Sequence, residues 1–422
     1  MNLIETKSTL KQLISTKPKV ELLIPVWSSH RAHPLGTVMS FLYYRTKSED
    51  GIINFHHIDA GKLPMINVSE FINEDTVVLD SRYLGGLGYD FEWLYFEEYG
   101  KPFIFSEFVG SVYKGYRNDY KELNDCIPLM KWYEVLKTIP LPTLRTEPNL
   151  KYSKAIQTLG RLEGAGVKVV EEKFIDSFAF NPAYIKRGGI VYTQYNPYTI
   201  TGRPSNRHLN VNWSALNKGD GTRESIISRH HNGTLIQFDY ESYHIRLIAK
   251  IVGYEFPKGV TAHQHLADLY GVGYEEAKLL TFRYLYGGLD DKARGIPFFQ
   301  KVDEWIREVH QKFIISGKLT TLLYKREIHF SRIEAATEQK VFSYLLQALE
   351  TEVNYMKIRE VLDFLEGKMS KFILYTYDAF LIDTHPIERE EVLNGVKEIM
   401  ERGGFPVRSY EGKNYNDLVV ID

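Results

Sequence analysis

Thr234-Leu235-Ile236-Gln237-Phe238-Asp239 reads as an apolar strand closed by an aspartate, and Phe372-Ile373-Leu374-Tyr375-Thr376-Tyr377-Asp378 repeats that pattern far downstream. Between them, Tyr274-Glu275-Glu276-Ala277-Lys278-Leu279-Leu280-Thr281-Phe282-Arg283-Tyr284-Leu285-Tyr286-Gly287 has helical spacing and a glycine placed to end it. Lys278, Phe282 and Tyr286 are four residues apart each, so they line one helical face. Carboxylates brought together from distant strands can hold divalent cations, and a lysine with two aromatics can hold a nucleoside triphosphate. The combination implies metal-assisted phosphoryl transfer on a nucleotide.

Each piece alone has a plainer explanation. Aromatics at helical spacing pack cores, and an aspartate after a strand caps a turn. Two details weigh against this. An unpartnered ammonium is costly to bury, so a lysine sits badly in a core stripe. Apolar residues resume at once after Asp378, in Phe380-Leu381-Ile382, which sets it at the apex of a tight hairpin.

Working outward, 422 residues suffice for two or three domains with a large core. The single cysteine, Cys126, excludes an intramolecular disulfide and a cysteine-based metal cluster, and suits a reducing compartment. No apolar run approaches the ~20 residues of a membrane span. The amino terminus, Met1-Asn2-Leu3-Ile4-Glu5-Thr6-Lys7, lacks a signal-peptide pattern. The expectation is a soluble cytoplasmic protein with no membrane partner.

Three regions emerge from punctuation. Up to about residue 145, β-rich runs such as Glu21-Leu22-Leu23-Ile24-Pro25-Val26 and Thr76-Val77-Val78-Leu79-Asp80 alternate with aromatic-rich helical segments, ending in Pro140-Leu141-Pro142-Thr143. A helix is expected over 154–163, stopped by Gly164-Ala165-Gly166. It leads into a basic stretch holding Lys186, Arg187, Arg203, Arg207, Lys218, Arg223 and Arg229, with tyrosines and Trp213 interleaved. That stretch reads as a surface for nucleic-acid phosphates, or as an ordinary solvated basic face. The net charge of −2 hides it. From Thr234 onward strands alternate with long helical patterns, implying a mixed α/β body.

The order of these pieces resembles the polymerase domain of family A DNA polymerases, the bacterial DNA polymerase I type and its phage relatives. Phe238-Asp239-Tyr240-Glu241-Ser242-Tyr243-His244-Ile245-Arg246 looks like the family's first motif, Lys278 through Gly287 like its second, and Tyr377-Asp378 like its third. Thr201-Gly202-Arg203-Pro204-Ser205 with Leu209-Asn210-Val211-Asn212, and Gln347 in Tyr344-Leu345-Leu346-Gln347-Ala348-Leu349-Glu350, resemble supporting motifs. The resemblance implies an α/β (α+β) fold: a right-hand palm with an antiparallel sheet (201–250 and 340–422), helical fingers (251–339) and a strongly reduced thumb (149–200). A mixed α/β, exonuclease-like domain (1–148) precedes them.

It also implies roles. Asp239 and Asp378 would hold two Mg²⁺ ions, with Mn²⁺ as a possible substitute, and Lys278 would bind the incoming phosphates and protonate the leaving pyrophosphate. Phe282, Tyr286, Tyr240, His244 and His263 would contact the deoxynucleoside triphosphate. Arg203, Asn210, Gln347, Arg207 and Arg223 would contact primer-template DNA. The function implied is template-directed DNA synthesis in phage or plasmid replication. A single-subunit RNA polymerase and a catalytically weak, polymerase-derived DNA-binding scaffold are the rivals.

The departures are informative. His244 stands where the family has a glutamate excluding ribonucleotides, Tyr274 where it has a triphosphate-binding arginine, and Ala379 where it has a third carboxylate. The stretch from Gly166-Val167-Lys168-Val169 to Thr201 is too short for the family's long thumb, so weak grip on duplex DNA and dependence on a processivity partner are expected. In the amino-terminal region, Asp90-Phe91-Glu92 follows the loop-like Gly85-Gly86-Leu87-Gly88-Tyr89, and Asp80 has Arg82 two residues on. A domain without proofreading nuclease activity is expected there.

Overall fold

The computed structural model describes residues 2–27, 39–55, 76–78, 129–139, 147–197, 199–257 and 259–421. Asp80, Asp90 and Glu92, Cys126 and the turn Pro140-Leu141-Pro142-Thr143 lie outside the described residues. The chain groups into two compact units: Met1–Gly166 with Phe180–Tyr198 and Asn206–Val211, and Val167–Ala179 with Thr199–Ser205 and Asn212–Asp422.

In the first unit, β1 (Asn2–Ile4), β2 (Val20–Trp27), β3 (Met39–Thr46), β4 (Asp50–Asn54) and β5 (Val77–Val78) form one sheet in the order β1-β4-β3-β2-β5. The run read as a strand from Glu21 is thus a strand, antiparallel to β3 and parallel to β5. Its Leu22, Leu23 and Ile24 are fully buried, as a strand covered on both faces requires. Helix α1 (Lys7–Ser15) starts at a capping box on Thr6, and its Leu10 and Leu13 pack on Val20, Leu23 and Leu42. Trp132, on α2 (Leu129–Leu136), meets Phe41 edge-on at 5.6 Å. Helix α3 (Glu147–Gly164) starts earlier than the spacing predicts and stops at the expected glycine.

The second unit begins with α4 (Glu171–Phe178), the longest helix described between Val169 and Thr201. Its body is a five-stranded antiparallel sheet, in the order β7-β8-β6-β9-β10. These strands are β6 (Thr234–Tyr240), β7 (Lys371–Thr376), β8 (Ala379–Thr384), β9 (Val407–Gly412) and β10 (Val419–Val420). Strand β6 is central, as its apolar run demands. Helices α5 (Tyr243–Ile251), α6 (Ala262–Tyr270), α7 (Tyr274–Gly287) and α8 (Pro297–Ser316) follow it in the chain. Pro297 opens α8 and Gly317, at φ 69°, closes it, both suited to those positions.

The 27-residue α9 (Glu338–Phe364) is buried along much of its length. Trp305 of α8 packs edge-on against its Phe342, and its Lys357 donates to the Ile399 carbonyl of α10 (Arg389–Glu401) at 2.8 Å. Burial lowers the pKa of that lysine. Among the described residues no helix is long and apolar enough to cross a membrane.

Candidate active site

Asp239 and Asp378 become neighbours through strand register. Asp239 pairs with Ala379 across the β6–β8 ladder, and the Tyr240 amide donates to the Asp378 carbonyl at 3.1 Å. Asp378 occupies the two-residue turn between β7 and β8, the tight hairpin its sequence context predicts. Tyr377, before it, takes a left-handed φ of 60°. Asn354 holds this turn, its side-chain amide donating to the Tyr377 carbonyl at 2.6 Å and to the Tyr375 hydroxyl at 3.1 Å.

Burial and then repulsion from Asp378 push Asp239 up to about 7, while Lys218 and Lys278 pull the other way. Burial and then Glu350 raise Asp378. Two carboxylates that oppose each other's ionisation fit a divalent cation, which relieves the repulsion. Among the described residues they belong to no cluster of three or more metal-ligating side chains.

Both aspartates open into a cleft of about 780 Å³ that is also lined by Lys278, Phe282 and Tyr286. Helix α7 turns Ala277, Thr281, Tyr284 and Leu285 into the core, leaving Lys278 and Phe282 exposed in the cleft. The stripe is therefore not core packing. Phe282 and Tyr286 lie nearly parallel, at 13° with centroids 6.2 Å apart. His263, on α6, is buried behind them, with its ring 6.2 Å from that of Phe282. Burial and then Lys278 lower it to about 4, so it is neutral at pH 7, and its Nδ1 has no hydrogen-bond partner among the described residues.

His244 connects α7 to α9. Its Nε2 lies 3.0 Å from Glu350 and its Nδ1 2.6 Å from the Tyr286 hydroxyl. A carboxylate only accepts, so in the neutral ring the proton is on Nε2 and the Tyr286 hydroxyl donates to Nδ1. Burial and then Glu350 raise Tyr286, which keeps that phenol protonated. Glu350, 1% exposed, also receives Arg203 at 3.3 Å, and the Arg203 guanidinium sits 3.8 Å over the Tyr377 ring. Gln347, one turn before Glu350, donates to Ser343 at 3.1 Å and shares a 3.4 Å contact with Thr201. The bend after Asp239 is fastened by Glu241, which pairs with Arg246 and accepts from the Ala262 amide at 3.1 Å.

Other expected residues direct their side chains to different partners. Tyr240, read as a nucleotide contact, turns its ring inward: successive strand residues face opposite ways, and its hydroxyl donates to the Met400 carbonyl at 3.2 Å. Arg223 directs its donors to the Leu216 carbonyl and lies 4.5 Å over the Tyr415 ring. Arg207 and Asn210 are exposed residues grouped with the first unit. Glu350, Glu241, Asn354 and Arg408 are site residues that sequence reasoning missed. Only Glu350 had a local signal, one helical turn from Gln347.

Neither a protein-family model nor a curated protein sequence matches this chain. Among solved structures it is similar to the POL domain of Pol1 from M. smegmatis in complex with DNA primer-template and dNTP. The TM-score is 0.69 at 13% sequence identity, covering 99% of this chain and 100% of that one. At that identity the likeness is one of fold, and the chain has the mixed α/β fold of a polymerase domain.

Proposed function

We propose that this chain is a template-directed DNA polymerase that adds deoxynucleotides to a primer 3′ end. The observation that carries the reading is that strand register sets Asp239 beside the Asp378 turn, in one cleft with Lys278, Phe282 and Tyr286. Asp239 and Asp378 are the residues to hold Mg²⁺ or Mn²⁺. When bound, such ions lower the pKa of an attacking hydroxyl and neutralise charge on a transferring phosphoryl group.

The chain's own residues do the positioning. Lys278, exposed in the cleft, binds incoming phosphates, and the parallel rings of Phe282 and Tyr286 receive the base. His244, held between Glu350 and Tyr286, presents a fixed imidazole edge against the sugar and excludes ribonucleotides sterically. Arg203 and Gln347 face the primer-template minor groove, where they test acceptors common to every base pair. Arg207 and Asn210, exposed on the first unit, contact DNA phosphates. The palm, fingers and reduced thumb divide as 201–250 with 340–422, 251–339 and 149–200, after a domain at 1–148 that lacks proofreading. The setting is phage or plasmid replication in a cytoplasm, with a partner protein supplying processivity.

Primer extension with Mg²⁺, run with deoxy- and ribonucleotides on the wild type and Asp378→Ala, tests this. Deoxynucleotide addition abolished by the substitution is expected. Ribonucleotide incorporation instead identifies an RNA polymerase, and primer-template binding without extension identifies a scaffold.

A further inference from the structure

The cleft divides by charge. Glu350 gathers His244 and Arg203, and Arg203 lies over Tyr377, the neighbour of Asp378, whereas Lys278 lines the cleft from α7. Arg408 belongs to the Asp239 side. It lies on β9 directly opposite Asp239 in the ladder, on the flank away from β8 and Asp378. Residues paired across an antiparallel ladder point to the same face, with Cβ atoms about 5 Å apart. Arg408 therefore rises from the same sheet face as Asp239, and it lines the cleft.

The Arg408 side chain is exposed and forms no ion pair, hydrogen bond or ring contact among the described residues. Arg203, by contrast, is committed to Glu350 and Tyr377. On the opposing wall α7 offers a single cleft-facing cation, Lys278, and at its start Tyr274 presents a phenol ring 5.9 Å from His263. A triphosphate tail carries more charge than one lysine neutralises. An unpaired guanidinium is a fork of fixed donors shaped for phosphate oxygens.

From this geometry we infer that Arg408 is a binding residue for the anionic tail of the incoming nucleoside triphosphate, supplying from the sheet the charge that α7 lacks. The inference rests on the polymerase reading for its substrate. It separates the two anions of the reaction, with the nucleotide tail between Lys278 and Arg408 and the primer terminus on the Asp378 side.

Single-nucleotide incorporation by the full chain, comparing wild type, Arg408→Ala and Arg408→Lys, tests it. Arg408→Ala is expected to raise KM for the deoxynucleoside triphosphate on the order of tenfold or more. The Kd for primer-template measured without nucleotide should not move, nor should Tm. Arg408→Lys recovers part of the loss, because it keeps the charge without the fork. An unchanged KM overturns the inference. A weakened primer-template Kd at unchanged KM also overturns it and reassigns Arg408 to the DNA backbone.

Calorimetric titration with inorganic tripolyphosphate keeps this separable from the polymerase reading. If the wild type extends no primer, that reading falls, while tripolyphosphate binding lost in Arg408→Ala still supports the subsite. A wild type that neither extends primers nor binds tripolyphosphate overturns both.

Discussion

Asp239 holds a charge that the fold resists. Its folded pKa of about 7 lies above the ordinary 3.8, so the folded chain binds its proton more tightly than the unfolded chain does. Stability is then fullest below pH 3.8 and declines as pH rises through about 7. Asp239→Asn should therefore stabilise the metal-free protein at pH 8, on the order of 1 kcal/mol, leave it unchanged near pH 3.5, and abolish primer extension. Thermal melts at the two pH values check the first part. Glu350 is a buried carboxylate shared by Arg203 and His244. Glu350→Gln should cost on the order of 3 kcal/mol in denaturant unfolding, because it strands a partly buried guanidinium. The same change removes a repulsion from Asp378 and should move the acid limb of the activity profile to lower pH. Asp239 and Asp378 were legible because each ends a local apolar run. Arg408 was not, because its importance comes from pairing with a strand far away in sequence.

At the scale of elements, α7 shows what periodicity conveys and what it omits. Helical spacing and the terminal glycine gave its limits, since both are local. The face that turns inward depends on what packs there, and the inward set proved to be Ala277, Thr281, Tyr284 and Leu285. Tyr284 is 4% exposed and donates to Asp290 at 2.9 Å, whereas Phe282 is 40% exposed. Tyr284→Ala should thus destabilise the protein by about 3 kcal/mol, and Phe282→Ala by about 0.5 kcal/mol or less. Phe282→Ala should instead raise KM for nucleotide several-fold. Urea unfolding beside steady-state kinetics separates the two, and equal destabilisation by both would show that Phe282 is packed rather than presented. The hairpin of β7 and β8 was equally legible, because apolar residues flank a two-residue gap.

For the whole molecule, the mixed α/β architecture followed from strands alternating with long helices. The first unit recruits Phe180–Tyr198 and Asn206–Val211 from beyond its main segment, an interleaving that no cut along a linear sequence expresses. Among the described residues between Val169 and Thr201 the longest helix has eight residues, so little secondary structure is available to wrap a duplex. The purified chain should extend primers in short runs whose length falls steeply as salt rises from 50 to 200 mM, about tenfold or more in DNA affinity. Product lengths under single-hit conditions measure this, and long, salt-resistant products would contradict it. The left-handed Tyr377 adds a final consequence. An L-residue there costs about 1 kcal/mol that glycine would not, yet this one sits beneath Arg203 and hangs from Asn354. Tyr377→Gly should leave Tm within a few degrees while lowering kcat on the order of tenfold, because relaxing the turn lets Asp378 wander. Rigidity at that apex is maintained by a side chain the backbone alone disfavours, so selection for thermal stability by itself would erode the aim of the carboxylate.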